Sequence, residues 1–229
     1  MLHKSRGIAL NYIKYKESSI IARIYTELFG LQSYVINGVR SKKSRYKVAL
    51  FQPLTLLDLV VYKREHAGLN RISEVKCSNP FASIPFDVKK SGIALFLTEV
   101  LVKSVREEEP NPSLFAFLEQ SILMLDHLES HYENFHLQFL LKLSKYLGFG
   151  AATAHDFFEQ LFPFTDLKDM ALTEEQSINQ LTILNYQNDF HLSNKYRREI
   201  LGHILQFFKL HLENFGEVKS LAVLKEIMS

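Results

Sequence analysis

Ser19–Thr26 reads SIIARIYT, and the alternation of its side chains decides the fold of the amino-terminal third. Successive side chains of a strand leave from opposite faces, so Ile20, Ala22 and Ile24 share one face while Arg23 and Tyr25 share the other. Working outward, Ile8, Leu10 and Tyr12 alternate with Ala9, Asn11 and Ile13 before this stretch, and Phe29-Gly30 and Asn37-Gly38 supply turns after it. LTLLDLVVY, Leu54 to Tyr62, is apolar and β-branched enough for a central strand. Leu69 to Cys77 offers a fifth strand after the turn at Ala67-Gly68. Five short strands in this length fit a small, partly open barrel of the oligonucleotide-binding (OB) type, and an SH3-like barrel fits almost as well.

Beyond Pro80 and Pro85 the period changes. Ile93 to Val105 is apolar on nearly every side, as expected of a helix in the middle of a bundle. Asn111 can cap the next helix, with Pro112 at its first position, where no amide donor is missed. A third helix is expected over Tyr132 to Leu147, stopped by Gly148 and Gly150, and two more over Ser193 to Glu213 and Glu217 to Met228. Between Pro163 and Phe190 the pattern predicts only a loop with a short hairpin. The expected fold is multidomain, α and β: a five-stranded OB-fold β-barrel over 1–79, then an α-helical bundle domain over 80–229.

The chain has 229 residues, 47% of them hydrophobic, and a formal net charge of +2. That small number hides a division. Residues 1–79 hold 14 Lys and Arg against 5 Asp and Glu, a net +9, whereas the remainder holds 13 against 20, a net −7. Such asymmetry suggests that the basic part meets a polyanion. The charge peaks in NGVRSKKSRYK, Asn37 to Lys47, where Arg40, Lys42, Lys43, Arg45 and Lys47 stand without one acidic residue. Loops between barrel strands are where this architecture contacts nucleic acids, and these cations are spaced to follow successive phosphates. Tyr46 and Tyr34 are candidates to stack bases. Lys14, Lys16, Arg23 and Arg71 join them only if the fold brings them to the same side. The alternative for the segment is a solvated loop whose charges keep the protein soluble.

No catalytic constellation is evident. His127 and His131 stand four apart with His136 following, but further metal ligands are lacking nearby. Cys77 is the one cysteine, so neither an internal disulfide nor a cysteine zinc cluster can form, and the nine glycines are scattered rather than gathered in a phosphate loop. No cofactor and no metal are expected. No apolar run reaches membrane-spanning length and no signal-peptide core opens the chain, so a cytoplasmic location without membrane contact is the expectation.

The order of these features is similar to that of the RecO family of bacterial recombination mediators and DNA repair proteins. The match rests on Gly7-Ile8, Tyr15, Glu17-Ser18, Phe29-Gly30, Asn37-Gly38 with its Lys/Arg run, Gln52-Pro53 and Glu109-Pro110-Asn111-Pro112. LSNKYRREILGHIL and the terminal VKSLAVLKEIM extend it. The resemblance implies an OB barrel and a helical domain, binding of single- and double-stranded DNA, and annealing of complementary strands. It implies RecR and the acidic C-terminal tail of single-stranded-DNA-binding protein (SSB) as partners, and indirect help to the recombinase RecA on SSB-coated DNA, near the nucleoid. By position, the DNA contacts fall on Arg40, Lys42, Lys43, Arg45 and Lys47. Many members carry paired, zinc-binding cysteines where this chain has FGAATAHDFFEQLFPFTDLKDM, so packing of Phe157, Phe158, Leu161 and Phe162 is expected to replace zinc. Lys142 and Lys145 are candidates for the SSB tail. The expected function is thus a non-enzymatic mediator; the rivals are a metal-dependent nuclease and an adaptor whose basic loop binds an acidic partner.

Overall fold

A computed structural model describes residues 1–39, 47–62, 69–161 and 172–228. The chain divides into two compact units, Met1–Leu123 and Met124–Ser229. The first contains the barrel: β1 (Leu2–Tyr15), β2 (Ser19–Thr26), β3 (Gly30–Ile36), β4 (Leu56–Tyr62) and β5 (Asn70–Cys77), with a 3-10 turn at Val48–Phe51 before β4. The barrel is closed in the order β1-β2-β3-β5-β4. β1 is long enough to pair with β4 through its first half and β2 through its second. Closure replaces the partly open barrel expected from the sequence, and it removes free sheet edges.

The interior is filled as the alternation predicts. Ile20, Ala22 and Ile24 of β2 meet Tyr34 and Ile36 of β3 and Leu57, Leu59 and Val61 of β4, all buried, with Phe51 of the 3-10 turn among them. Strict alternation fails in β1. A register shift between Ala9 and Asn11 puts an extra residue into the strand, and Ile8, Ala9 and Leu10 are buried in succession. Gly7 is needed there, since a Cβ would lie 2.6 Å from Leu59 Cδ1.

Helices α1 (Val88–Ser104) and α2 (Pro112–His127) follow. Asp87 caps α1 by accepting from the amides of Lys89 and Lys90, so the helix begins earlier than expected from Ile93. It is placed with the barrel, packed on β1, not in the middle of a helical bundle, and Val88 and Leu95 remain exposed. Asn111 Oδ1 accepts from the Leu114 amide at 3.0 Å, the expected cap of α2. Between the two helices the chain runs over the β2–β3 turn. The Leu31 amide donates to the Glu107 carbonyl at 2.9 Å, and Gly30 at φ +60° lets this strap approach. Arg6 forks onto both carboxylate oxygens of Glu119 (2.8 and 2.6 Å) and both of Glu27 (3.0 and 2.7 Å), and lies 5.1 Å from the Phe115 ring centre. A two-nitrogen fork from Nε and Nη2 onto Glu27, Nη1 shared between the two Glu119 oxygens, and a ring face hold α2 to β1 and the β2–β3 turn.

The second unit contains α3 (Phe135–Tyr146), α4 (Ala154–Leu161), α5 (Leu172–Ile183), α6 (Asn194–His211) and α7 (Ser220–Ile227). α5 stands where the sequence predicted a loop with a short hairpin; Ile178 and Leu181 are buried and supply the packing that its weak pattern concealed. Phe157, Phe158 and Leu161 are buried, and Phe157 meets Phe207 at 4.7 Å, while Phe162 lies outside the described residues. Buried Arg197 donates to Asn134 Oδ1, Asn194 Oδ1 and the Leu192 carbonyl. The candidate histidines are not gathered: His127 is exposed, His131 faces Asp189 at 3.1 Å, and His136 is buried. Burial, with the Arg197 charge second, pushes the His136 imidazole down to about 3, so it is neutral in the folded protein.

Gly30→Ala is expected to lower stability by about 2 kcal/mol or more, because a Cβ at positive φ would meet two backbone carbonyls; those carbonyls, of Glu107 and Glu109, lie 2.4 Å from it. Urea unfolding reads this, and a loss below about 0.5 kcal/mol would contradict it. His136 sets a pH dependence. Its folded value lies below the unfolded 6.5, so the unfolded chain takes up the extra proton, and stability present above that pH is lost on falling toward about 3. His136→Gln should flatten this loss by up to about 1.4 kcal/mol per pH unit, measured as urea midpoints across the same range.

Candidate nucleic-acid interface

The barrel register orders the outward side chains into rows. Ile8, Tyr25 and Leu31 form the first, and all three are buried. Tyr25 stacks on Phe115 of α2 with ring centres 6.3 Å apart. Burial chiefly, and then the nearby Glu107 charge, push its phenol up to about 12. The second row runs Asn11, Arg23, Ser33. The third runs Ile13, Ile21, Val35, Arg71 and on to Tyr62. Asn11, Arg23, Ile13, Arg71 and Tyr62 are exposed, and Ile21, Ser33 and Val35 are half-buried.

Arg23 and Arg71 thus stand on one open face, either side of β3. Among the described residues neither meets a carboxylate. The far side of the barrel differs: across β1, β4 and β5 the outward rows are Arg6, Asp58, Lys76 and Lys4, Val60, Glu74. There Lys76 pairs with Asp58 at 3.3 Å and Arg6 with Glu27 and Glu119. These residues line an open cavity of about 850 Å³ whose charges are mixed and largely paired. A polyanion gains attraction from the first face and little from the second.

The remaining candidates are dispersed. Lys16 sits at φ 51° in the β1–β2 turn, at the border of the open face, with its Nζ 5.4 Å from the Tyr15 ring centre. Ser19 Oγ donates to Asn37 Oδ1 at 3.2 Å, so β3 exits toward the basic segment beside that turn. Arg40, Lys42, Lys43, Arg45 and Tyr46 lie outside the described residues. Lys47 is exposed at the start of the 3-10 turn. Lys14 is exposed but alternates with Ile13 and leaves from the other face of β1. Tyr34 is corrected outright: it is 1% exposed in the barrel core, and burial holds its phenol well above the usual range, so no base can stack on it. Ile13, Ile21, Val35 and Tyr62 were missed. Their cross-strand register, which a single sequence does not encode visibly, is what joins them to the arginines.

In the second unit, Lys142 is half-buried, donates to the Leu184 carbonyl at 3.2 Å and lies 4.2 Å from the Tyr186 ring centre. Burial and then Lys145 lower its pKa, while Lys145 itself is exposed. Among the described residues no three His, Cys, Asp or Glu side chains gather as a metal site requires. Among the described residues no helix is long and apolar enough to cross a membrane.

The described residues form a closed five-stranded OB barrel followed by a helical region. Comparison with known proteins supplies the family. The family model described as "Recombination protein O N terminal" matches residues 1–81, and "Recombination protein O C terminal" matches 85–159. A DNA repair protein RecO of Bacteroides fragilis is 40% identical over 99% of both chains. Those of Flavobacterium psychrophilum and Phocaeicola vulgatus are each 39% identical, over 99% and 100% of both chains. The chain belongs to the RecO family of DNA repair proteins.

Proposed function

We propose that the protein is a DNA-binding recombination mediator that acts without catalysing a covalent step. Its barrel holds single- and double-stranded DNA through the phosphate backbone. The observation that carries this reading is the open barrel face, where Arg23 and Arg71 flank β3 with no carboxylate beside them among the described residues. Lys16 borders that face, and Asn37, held by Ser19, follows β3 beside the same turn, with Arg40, Lys42, Lys43 and Arg45 next in the sequence. Arginine offers a fork to phosphate oxygens and lysine a mobile charge, and neither contact reads sequence. Annealing then needs no reactive group: two strands held by cations lose much of their mutual repulsion and meet at raised local concentration.

In this reading RecR joins the protein on DNA, and the helical part receives the acidic, hydrophobic tail of SSB. Together they help RecA replace SSB on gapped strands. Lys145 is the available cation for the tail; Lys142, already seated on Tyr186, positions the chain after α5 and contributes charge from behind. The domain division proposed from the sequence, 1–79 and 80–229, places DNA on the first part and protein partners on the second.

The test is annealing of complementary labelled strands, with intact SSB and with SSB lacking its tail. Annealing is expected in both, and faster on intact SSB; absence of annealing at low salt would overturn the mediator reading. Converting Arg40, Lys42, Lys43 and Arg45 to alanine should weaken DNA binding across all sequences and reduce the slope of log K against log salt by roughly 3 to 4. Fluorescence anisotropy at graded salt reads it. An adaptor that binds an acidic protein through this segment would show no DNA affinity to lose.

A further inference from the structure

α1 belongs to the same unit as the barrel, and most of its surface is buried against it. What it leaves to solvent is one stripe, Val88, Ser91, Leu95, Glu99 and Val102, with Lys89 and Lys103 beside it. Val88, Leu95 and Val102 stand seven residues apart, the spacing at which apolar side chains meet a second helix. The two ends of the stripe differ. The amino-terminal end projects: Val88 is 71% exposed, and Phe86, just ahead of the helix, is 82% exposed. The carboxyl-terminal half is recessed, with Leu95, Thr98 and Val102 forming one wall of a groove of about 330 Å³ whose other wall includes Leu10, Tyr12 and Pro53. An open apolar row of this kind is unfavourable in water until something covers it.

We propose that the cover is α1 of a second copy of this chain, laid antiparallel across a twofold axis at Leu95. The stripe is symmetric about that residue. Under the axis Leu95 meets itself, Val88 of each copy meets Val102 of the other, and the small Ser91 lies opposite Glu99. The projecting end of each copy thereby falls on the recessed end of the other, and Phe86 is carried to the groove at Val102. Charge agrees with this direction. Glu99, 3.9 Å from its own Lys103, comes within about 3 Å along the axis of the other copy's Lys89, on the same side of the pair. A parallel pairing would leave Glu99 and Lys89 about 15 Å apart along the axis. A single helix pair belongs with the transient interfaces below ~1,200 Å², so the association is reversible, with a Kd on the order of 10 µM. Because α1 is packed on β1, pairing sets two barrels side by side. Two strands held on one particle then meet at raised effective concentration. The pairing itself is independent of the DNA-binding reading above, and only this use of it in annealing rests there.

Sedimentation velocity of the full chain without DNA, from about 1 to about 100 µM, is expected to show a reversible monomer–dimer equilibrium. Phe86→Ala alters a side chain that is largely in solvent in the single chain and should weaken the dimer about tenfold. Leu95→Asp sets two carboxylates at the axis and should leave monomer throughout. In a Cys77→Ser background, Leu95→Cys should cross-link to itself on oxidation, whereas Val88→Cys and Val102→Cys should cross-link only when the two proteins are mixed. These substitutions are conservative, so they decide even where Leu95→Asp folds poorly. A monomer at every concentration would overturn the pairing and leave the groove to a helix of another protein. A dimer indifferent to both Phe86→Ala and Leu95→Asp would overturn it too, and Val88→Cys cross-linking to itself would overturn the antiparallel direction. Strand annealing by Phe86→Ala should slow where that variant is monomeric, with its affinity for a short oligonucleotide unchanged. Undiminished annealing there would overturn the dimer's part in it, and a wild-type dimer that binds no DNA would overturn the DNA-binding reading alone.

Discussion

Between β3 and β5 the barrel is joined by two residue pairs, Tyr34 with Asn70 and Val35 with Arg71, in the one parallel pairing of an otherwise antiparallel barrel. So short a seam needs reinforcement. Asn70 Nδ2 donates to Gln32 Oε1 at 2.8 Å, both buried, and Gln32 Nε2 donates back to the Phe29 carbonyl. The cost of leaving either amide unsatisfied in the interior makes the junction specific as well as stable. Everything proposed for the outer face follows from it. Were β5 not held against β3, Arg71 would not stand beside Val35, and the two arginines would not share a surface.

A second constraint decides how much of that surface is free. Arg6 links the first half of β1 to the β2–β3 turn and to α2, and its fork is full: four oxygens from two carboxylates and a ring beneath. The Glu27 carboxyl is held below its usual range mainly by that hydrogen bonding. The same helix brings Phe115 onto Tyr25. One part of the sheet face is therefore spent on packing, and the arginines on the remaining part are left for a ligand. Cations on the two sides of the barrel thus do different work: Arg6 and Lys76 are neutralised locally, while Arg23 and Arg71 meet no carboxylate among the described residues.

The parts of this arrangement that depend on neighbours in sequence were legible. Alternation in SIIARIYT placed Ile20, Ala22 and Ile24 inside, and Asn111-Pro112 marked the start of α2. What depends on distant partners was not. The extra residue in β1 buries Ile8, Ala9 and Leu10 together, which no simple alternation predicts. Tyr34 is a base-stacking candidate in the sequence, and closure of the barrel buries it in the core. Tyr25 shares the face of Arg23, as the alternation predicts, but is covered there by a ring ninety residues further on. α1 looked like a bundle helix because it is apolar all round, and the barrel wall satisfies that need as well as helices would. α5 is short, polar and rich in β-branched residues, so tertiary contacts at Ile178 and Leu181 outweigh a poor intrinsic propensity.

The hydrogen bond from Leu31 to Glu107 has a consequence in time. These residues are separated by most of the first compact unit, so as the chain leaves the ribosome β3 is finished long before its carbonyl partner emerges. Until then the Leu31 amide and the flank of Tyr25 face water, and a nascent barrel ending near Asn79 is an unfinished article of manufacture. The smallest stretch able to mature by itself is set by where that strap and the Phe115 turn of α2 are synthesised, some distance past the last strand.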